Sequence, residues 1–320
     1  MKFNHLAVAS IIGAFTISSH ASVLIYEGFN YGLADGTTMN GVATNATGLS
    51  GNYALGQSLA GIGTANFTST GLSFGSSFTP STGGALSMSI TSNVFNATRS
   101  AQLGVALNTG TVTGTVYTSY LFSLGSTGST AGTSQMRING AQTTSLNTRL
   151  SVLADGTQVL GNSLQYGGEP VQSAPSGTLL LNTTYLALAK FTELGTVDSV
   201  GIAEMWVFTQ QGYEDWLTMG MGQESELFFY AVLGSTLTSG ATTTVNNSTF
   251  SNSQFLSYAV SNANNVNAQS MIIDETRWGT ELTDVLAVPE PSTYALAGIG
   301  LAFIAIKMRR RATLVAIRTK

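Results

Sequence analysis

Thr184-Tyr185-Leu186-Ala187-Leu188-Ala189-Lys190-Phe191 alternates with a period of two. Leu186, Leu188 and Lys190 fall on one side, and Tyr185, Ala187, Ala189 and Phe191 on the other, because successive side chains of a strand point to opposite faces. Val200–Thr209 repeats the pattern, setting Glu204, Trp206 and Phe208 against Ala203, Met205 and Val207. Apolar residues on both faces suit strands of a two-sheet sandwich, some carrying long aromatics over a concave or partly open face.

Working outward, short runs rich in Val, Thr, Tyr, Phe and Leu recur between Gly, Asn, Asp and Ser, the signature of strands and turns. They predict strands at Val23–Glu27, Ala85–Ile90, Ala101–Leu107, Thr115–Leu124, Gln135–Ile138, Thr148–Leu153 and Ser270–Trp278. Asp155-Gly156, between Thr148–Leu153 and Gln158–Leu160, is a hairpin signal. No long stretch has a period of 3.6. Gln211–Glu226 reads as an irregular insert with a short helix starting near Tyr213-Glu214-Asp215-Trp216. Gly32–Gly84, rich in Gly and Thr, reads as long surface loops. Asn246–Asn267 reads as loop with one short element around Phe255–Val260. The fold class expected is all-β: an antiparallel two-sheet sandwich with a helical segment at each end of the chain.

The two ends carry addresses. Lys2 and His5 precede the apolar run Leu6–Ile17, and Ser19-His20-Ala21 offers small residues for a cut before Ser22. That is the layout of an export signal over residues 1–21. At the other end, Pro289-Glu290-Pro291 precedes Thr293–Ile306, which is uncharged and mostly apolar. Lys307, Arg309, Arg310 and Arg311 follow at once. Fourteen helical residues rise about 21 Å, short of the roughly 30 Å hydrocarbon core. Such a span needs thinning or snorkelling and suits a temporary anchor, with its basic end cytoplasmic. The organisation expected is signal peptide 1–21, sandwich 22–287, sorting segment 288–311 and extension 312–320.

Composition limits the chemistry. The body, Ser22–Val288, holds fifteen of the 16 acidic residues, but of the basic ones only Arg99, Arg137, Arg149, Lys190 and Arg277, a formal charge of −10. So acidic a body disfavours nucleic acid, which requires clustered Lys and Arg. It admits cations and neutral glycans. Cysteine is absent, which excludes thiol catalysis, zinc–thiolate sites and iron–sulfur clusters. Both histidines, His5 and His20, lie in the signal, which removes Ser-His-Asp mechanisms and His-ligated metals from the body. Carboxylates, Tyr, Lys and hard cations are what remains.

Val288-Pro289-Glu290-Pro291-Ser292-Thr293, the short apolar stretch and the Arg cluster together resemble the PEP-CTERM sorting signal. The resemblance implies a Gram-negative source, a membrane exosortase and the export machinery as partners, and cleavage near the Pro-Glu-Pro motif. It implies a route through the inner membrane to the cell surface or exopolysaccharide matrix. Family tails usually stop at the Arg cluster, whereas this chain runs on from Ala312 to Lys320. The body resembles a family that accompanies such tails. The resemblance rests on Leu24-Ile25-Tyr26-Glu27-Gly28-Phe29-Asn30-Tyr31, Thr47-Gly48-Leu49-Ser50-Gly51 and the closing Ile273-Asp274-Glu275-Thr276-Arg277-Trp278-Gly279-Thr280. It implies a concanavalin-like, laminin-G-like jelly roll.

Two polar groups are candidates for a ligand or calcium, the one cofactor considered. Glu224 and Glu226, with Glu214 and Asp215, form the densest acidic patch, and hard cations take several oxygen ligands. No EF-hand spacing is present, so a solvated loop is the competing reading. Asp274 and Glu275 precede Arg277. In an unbroken strand Glu275 and Arg277 share a face opposite Asp274, and an Arg–carboxylate pair locking the strand competes with a glycan or calcium contact. Trp206, Tyr213, Trp216 and Trp278 are aromatics for stacking on sugar or for core packing. No E-x-D-x-x-E strand motif occurs, and no catalytic residue is assigned. The expectation is a non-enzymatic surface or matrix protein binding glycan, exopolysaccharide among the candidates, or a neighbouring protein. The alternative is a carbohydrate-active enzyme, hydrolase or lyase, using paired carboxylates.

Overall fold

The period-two stretches become strands of two stacked sheets. The computed structural model describes residues 23–56, 63–75, 78, 83–90, 99–127, 132–140, 145–152, 158–165, 176–177, 179–196, 201–220, 222–238, 254–262 and 269–286. Its strands are β1 Val23–Glu27, β2 Leu49–Leu55, β3 Gly63–Thr68, β4 Ala85–Ile90, β5 Arg99–Leu107, β6 Gly114–Thr127, β7 Gly132–Gly140, β8 Ser145–Val152, β9 Gln158–Gln165, β10 Ser176–Gly177, β11 Thr184–Leu194, β12 Ile202–Phe208, β13 Leu233–Thr238, β14 Gln254–Asn262 and β15 Gln269–Gly279. Helices α1 Gln210–Thr218, α2 Leu227–Tyr230 and α3 Leu282–Val285 are short, and a 3-10 turn spans Glu224–Glu226.

The first sheet runs β13-β12-β11-β6-β15-β4-β3, with β1 beside the end of β15; the second runs β10-β9-β8-β7-β14-β5-β2. The paired strands are antiparallel, so the all-β sandwich holds. Val116, Phe122, Ala187, Phe191, Met205 and Val207 of the first sheet meet Leu103, Val105, Leu256 and Tyr258 of the second in one apolar core. Phe122 is fully buried, and truncating such a ring to alanine costs about 3–5 kcal/mol.

Several strands were not legible as such, β10 and β13 among them, where no strand was expected. β2 and β3 lie inside Gly32–Gly84, where loops were expected. β2 buries only Leu49 and Tyr53, and β3 buries only Ala65 and Phe67. Each is held as a strand by its partner, β5 and β4 respectively, because ladder bonds from a distant segment override weak local propensity. β14 is a nine-residue strand between β5 and β7, longer than the short element expected there. The Asp155-Gly156 turn lies outside the described residues, but β8 and β9 pair antiparallel with Val152 opposite Gln158.

The outer face of the first sheet is roofed. Thr209 caps α1, its hydroxyl accepting from the Gly212 amide at 3.1 Å, so the insert does start a helix where expected. α1 lays Tyr213 and Trp216 against Phe208, with Phe74 and Phe78 packed on Tyr213. Phe228 of α2 packs edge-on against Trp206, so Trp206 and Phe208 are both buried and this side is covered where they lie.

The chain divides into two units, Met1–Leu286 and Ala287–Lys320. The expected export signal, the Pro289-Glu290-Pro291 motif, the Thr293–Ile306 span and the Lys307–Arg311 cluster lie outside the described residues. Among the described residues no helix is long and apolar enough to cross a membrane.

Candidate functional site

Tyr117 on β6, Lys190 on β11 and Glu204 on β12 stand in one row, since Lys190 is the register partner of both others. The row lies on the face of the first sheet away from the core. The 3-10 turn brings Glu224 over it. Trp216 steadies that turn by donating its indole N–H to the Gln223 carbonyl at 2.8 Å. Glu224 forms an ion pair with Lys190 and accepts from the Tyr117 hydroxyl at 2.8 Å. Lys190 Nζ also lies 5.8 Å from the centre of the Tyr117 ring.

The group is open to solvent in part: the Lys190 and Glu224 side chains keep 20% and 36% of their exposure. Burial pushes the Glu204 carboxyl above its ordinary range; Lys190 opposes this and Glu224 adds to it. Burial also raises the Tyr117 phenol, helped by Glu224. The row thus combines a carboxyl whose pKa is raised by burial, a phenol, a cation and a second carboxylate. Two carboxyl groups in unlike surroundings are the arrangement that divides acid from base.

The closing strand builds a second group. β15 carries an irregularity between Asp274 and Arg277, and Glu275 sits at φ +54°, rare for a residue with a side chain. A bulge inserts one extra residue and shifts the side-chain parity beyond it. Ile273 and Trp278 therefore both reach the core, while Asp274 and Arg277 pair with Leu121 and Ser119. This corrects the expectation that Asp274 lies opposite Arg277, which assumed an unbroken strand.

Asp274 is fully buried. Its oxygens accept from the amides of Leu72 and Glu275, both at 2.8 Å. Burial raises its pKa to about 8, against those amide bonds and with the help of Glu275 and Glu27. Glu275, also buried, pairs with Arg277 at 3.0 Å and accepts from Tyr26 at 3.1 Å. The Arg277 guanidinium lies over the Tyr26 and Phe78 rings. Glu27 accepts from Tyr31 and from the Phe29 amide, both at 2.6 Å, and from Tyr53; burial raises its pKa.

The four sequence candidates therefore separate. Glu224 joins the Lys190 row. Glu226, two residues on, is exposed. Asp274 and Glu275 belong to the buried group, and the Arg–carboxylate pair weighed for Glu275 and Arg277 is formed. Among the described residues, no cluster of three or more His, Cys, Asp or Glu is placed to hold a metal ion. Trp206, Tyr213, Trp216 and Trp278 are all buried; among the described residues the exposed rings include Phe228 and Phe229 on α2 and Phe255 on β14. Sequence reasoning missed Tyr117, Lys190 and Glu204 as partners of Glu224. The signal for two of them was the only Lys of the body, falling on an otherwise apolar face in a strand adjacent to Glu204.

The comparisons with known proteins bear on both ends of this argument. Residues 287–311 match the PEP-CTERM protein-sorting motif. The chain carries a PEP-CTERM sorting motif. The motif marks an exported protein, handled by an exosortase at the membrane of a Gram-negative bacterium. No curated protein matches the chain.

Solved structures similar to the body are sandwiches of the same class. One is a marine PL-14 alginate lyase from Aplysia kurodai, 9% identical, covering 68% of this chain and 87% of that one with a TM-score of 0.42. A second is the alginate lyase Aly36B, 11% identical, covering 81% and 98% with a TM-score of 0.43. A third is the Emp47p carbohydrate recognition domain, 14% identical, covering 83% and 100% with a TM-score of 0.40. Identities this low speak to fold alone. They correct one expectation nonetheless. The body was expected to lack enzymatic activity, and that does not stand, because the sandwiches it resembles include lyases as well as a recognition domain. A fold does not by itself separate these functions.

Proposed function

We propose that this exported, exosortase-sorted protein reaches the cell surface or the exopolysaccharide matrix, and that its body is a carbohydrate-active enzyme working at the Tyr117–Lys190–Glu204–Glu224 row. The observation that carries the reading is the pair of unlike carboxyl groups, Glu204 and Glu224, sharing Lys190 on a partly open sheet face. Glycosidic cleavage requires one carboxyl to give a proton to the leaving oxygen and a second group to act as base or nucleophile. Glu204, whose pKa burial raises, is assigned as the donor. Glu224, fixed by Lys190 and Tyr117, is the second carboxylate. Phe228 and Phe229, exposed on the helix following Glu224, offer rings on which sugar can stack.

The test is incubation of the full chain in mild detergent with neutral and uronate polysaccharides, with and without calcium. The readouts are new reducing ends and the ultraviolet absorbance of unsaturated products. Cleavage is expected, and Glu204→Gln and Glu224→Gln should each lower it by about 10²-fold or more while circular dichroism stays unchanged. No cleavage of any polysaccharide, or cleavage indifferent to both substitutions, would overturn the assignment.

A further inference from the structure

The positive charge of the body comes from Arg99, Arg137, Arg149, Lys190 and Arg277. Arg99, Arg137 and Arg149 stand on β5, β7 and β8 of the second sheet, across the core from the Lys190 row. Arg277 is paired with Glu275 and held over the Tyr26 and Phe78 rings. Lys190 is paired with Glu224. Every cation of the body is thus either on the other sheet or already in an ion pair.

Negative charge is in excess at the row. Burial raises the Tyr117 phenol, and Glu224, Glu281 and Glu204 add to the rise, so three carboxyl groups lie within electrostatic reach of one phenol. Glu226 is exposed in the same turn as Glu224. Lys190 balances one of these charges. An incoming carboxylate would meet charge of its own sign, which opposes binding and slows approach.

Beside the row a ring is held in place. Glu204 and Trp206 share the outer face of β12, about 7 Å apart along the strand. Phe228 of α2 packs edge-on against Trp206 with 5.4 Å between ring centres. Gly234 is the register partner of Trp206, and a Cβ there would come within 2.7 Å of Phe228 Cδ1. The missing side chain of Gly234 therefore makes the space that Phe228 occupies. Phe228 still keeps 47% of its exposure. A ring fixed on one side and open on the other is a preorganised surface for the apolar face of a sugar.

We infer that the row takes an uncharged polysaccharide, stacked on Phe228 beside Glu204, and cleaves it by adding water rather than by elimination across a uronate. The inference rests on the assignment of Glu204 and Glu224 as the working pair. Hydrolysis breaks the bond between the anomeric carbon and the bridging oxygen. Glu204 gives that oxygen its proton, water supplies a hydroxyl to the carbon, and Glu224 takes the proton that water loses. The two carboxyl groups return to their starting states by exchange with solvent. No charge on the sugar is needed. Elimination removes a proton from the carbon next to a uronate carboxyl, and the negative charge that develops there has to be met by a cation or by aimed donors. Lys190, the cation of the row, is already held by Glu224.

The experiment uses the full chain in mild detergent with uncharged glucans, mannans and galactans, and with polyuronates before and after reduction of their carboxyl groups to alcohols. Binding is read by titration, cleavage by new reducing ends, and elimination by ultraviolet absorbance. An uncharged polymer should be bound and cleaved, with kcat/KM about tenfold or more above any polyuronate at low salt, and the gap should narrow as salt rises. Unsaturated products should not form. Phe228→Ala should raise KM for the uncharged polymer about threefold to tenfold with kcat nearly unchanged, and Phe228→Trp should restore it; circular dichroism checks that both are folded. Glu226→Lys should strengthen polyuronate binding and leave uncharged polymer bound as before. Polyuronate bound as tightly as uncharged polymer, an unsaturated product, or no binding of any uncharged polymer overturns the inference. So does binding indifferent to Phe228→Ala in a folded protein. Uncharged polymer bound through Phe228 but cleaved equally by Glu204→Gln, or not cleaved at all, overturns the catalytic assignment and leaves the ligand class standing.

Discussion

Asp274 shows how burial turns a carboxylate into a pH-dependent element. Its pKa rises from an ordinary 3.8 to about 8 because water is excluded from it. Between those values the unfolded chain ionises at this position while the folded chain keeps its proton. Stability is thus fully present below about pH 4 and is lost progressively as pH rises to about 8. Glu27, shifted in the same direction by the same cause, adds to the slope. We expect the denaturant midpoint of the body to fall from pH 5 to pH 8, by an amount on the order of a few kcal/mol in free energy. Asp274→Asn places an amide against the Leu72 and Glu275 N–H groups and should destabilise at acid pH, yet flatten the slope. A midpoint independent of pH in the native protein would show that Asp274 is ionised in the fold.

At the scale of elements, the closing strand ends on a glycine with no room for a side chain. A Cβ on Gly279 would lie 2.1 Å from Cβ of Asp284. Asp284 in turn accepts from the amides of Thr280 and Glu281, both at 2.9 Å, tying α3 to the end of β15. Gly48 is constrained in the same way: its φ is +72° and a Cβ would meet the Leu24 carbonyl oxygen at 1.8 Å. Gly279→Ala should destabilise the body by about 1–3 kcal/mol through overpacking, read as a lower melting temperature. Gly36→Ala, at positive φ but in open space, is the control and should cost less. A loss at Gly279 no larger than that at Gly36 would mean that the Asp284 side chain yields to the added methyl. Strands such as β4, β11 and β12 were legible because each alternates within its own few residues. β2 and β3 were not, since each buries only two residues and owes its extension to a partner.

At the scale of the whole molecule, the sorting motif gives the chain an address. The sorting motif at residues 287–311, with Lys307, Arg309, Arg310 and Arg311 at its end, leads us to propose that this segment holds the protein at the membrane until the motif is processed. Removing Pro289–Lys320 should therefore move the protein from the membrane fraction to the periplasm or medium, read by fractionation. A truncated chain that stays with membranes would show that another segment holds it there. The sequence alone determined the period-two strands, the sorting motif, and the exclusion of thiol and imidazole chemistry from the body. These depend on residue type and on neighbours a few positions apart. Only the tertiary structure decided the rest. The bulge at Glu275 turned Asp274 and Arg277 to one face, and Glu224 came over Lys190. The physical reason is distance along the chain. Contacts such as Tyr26 with Glu275 join residues 249 positions apart, and their geometry is set by strand pairing and by a shared core that no local pattern records.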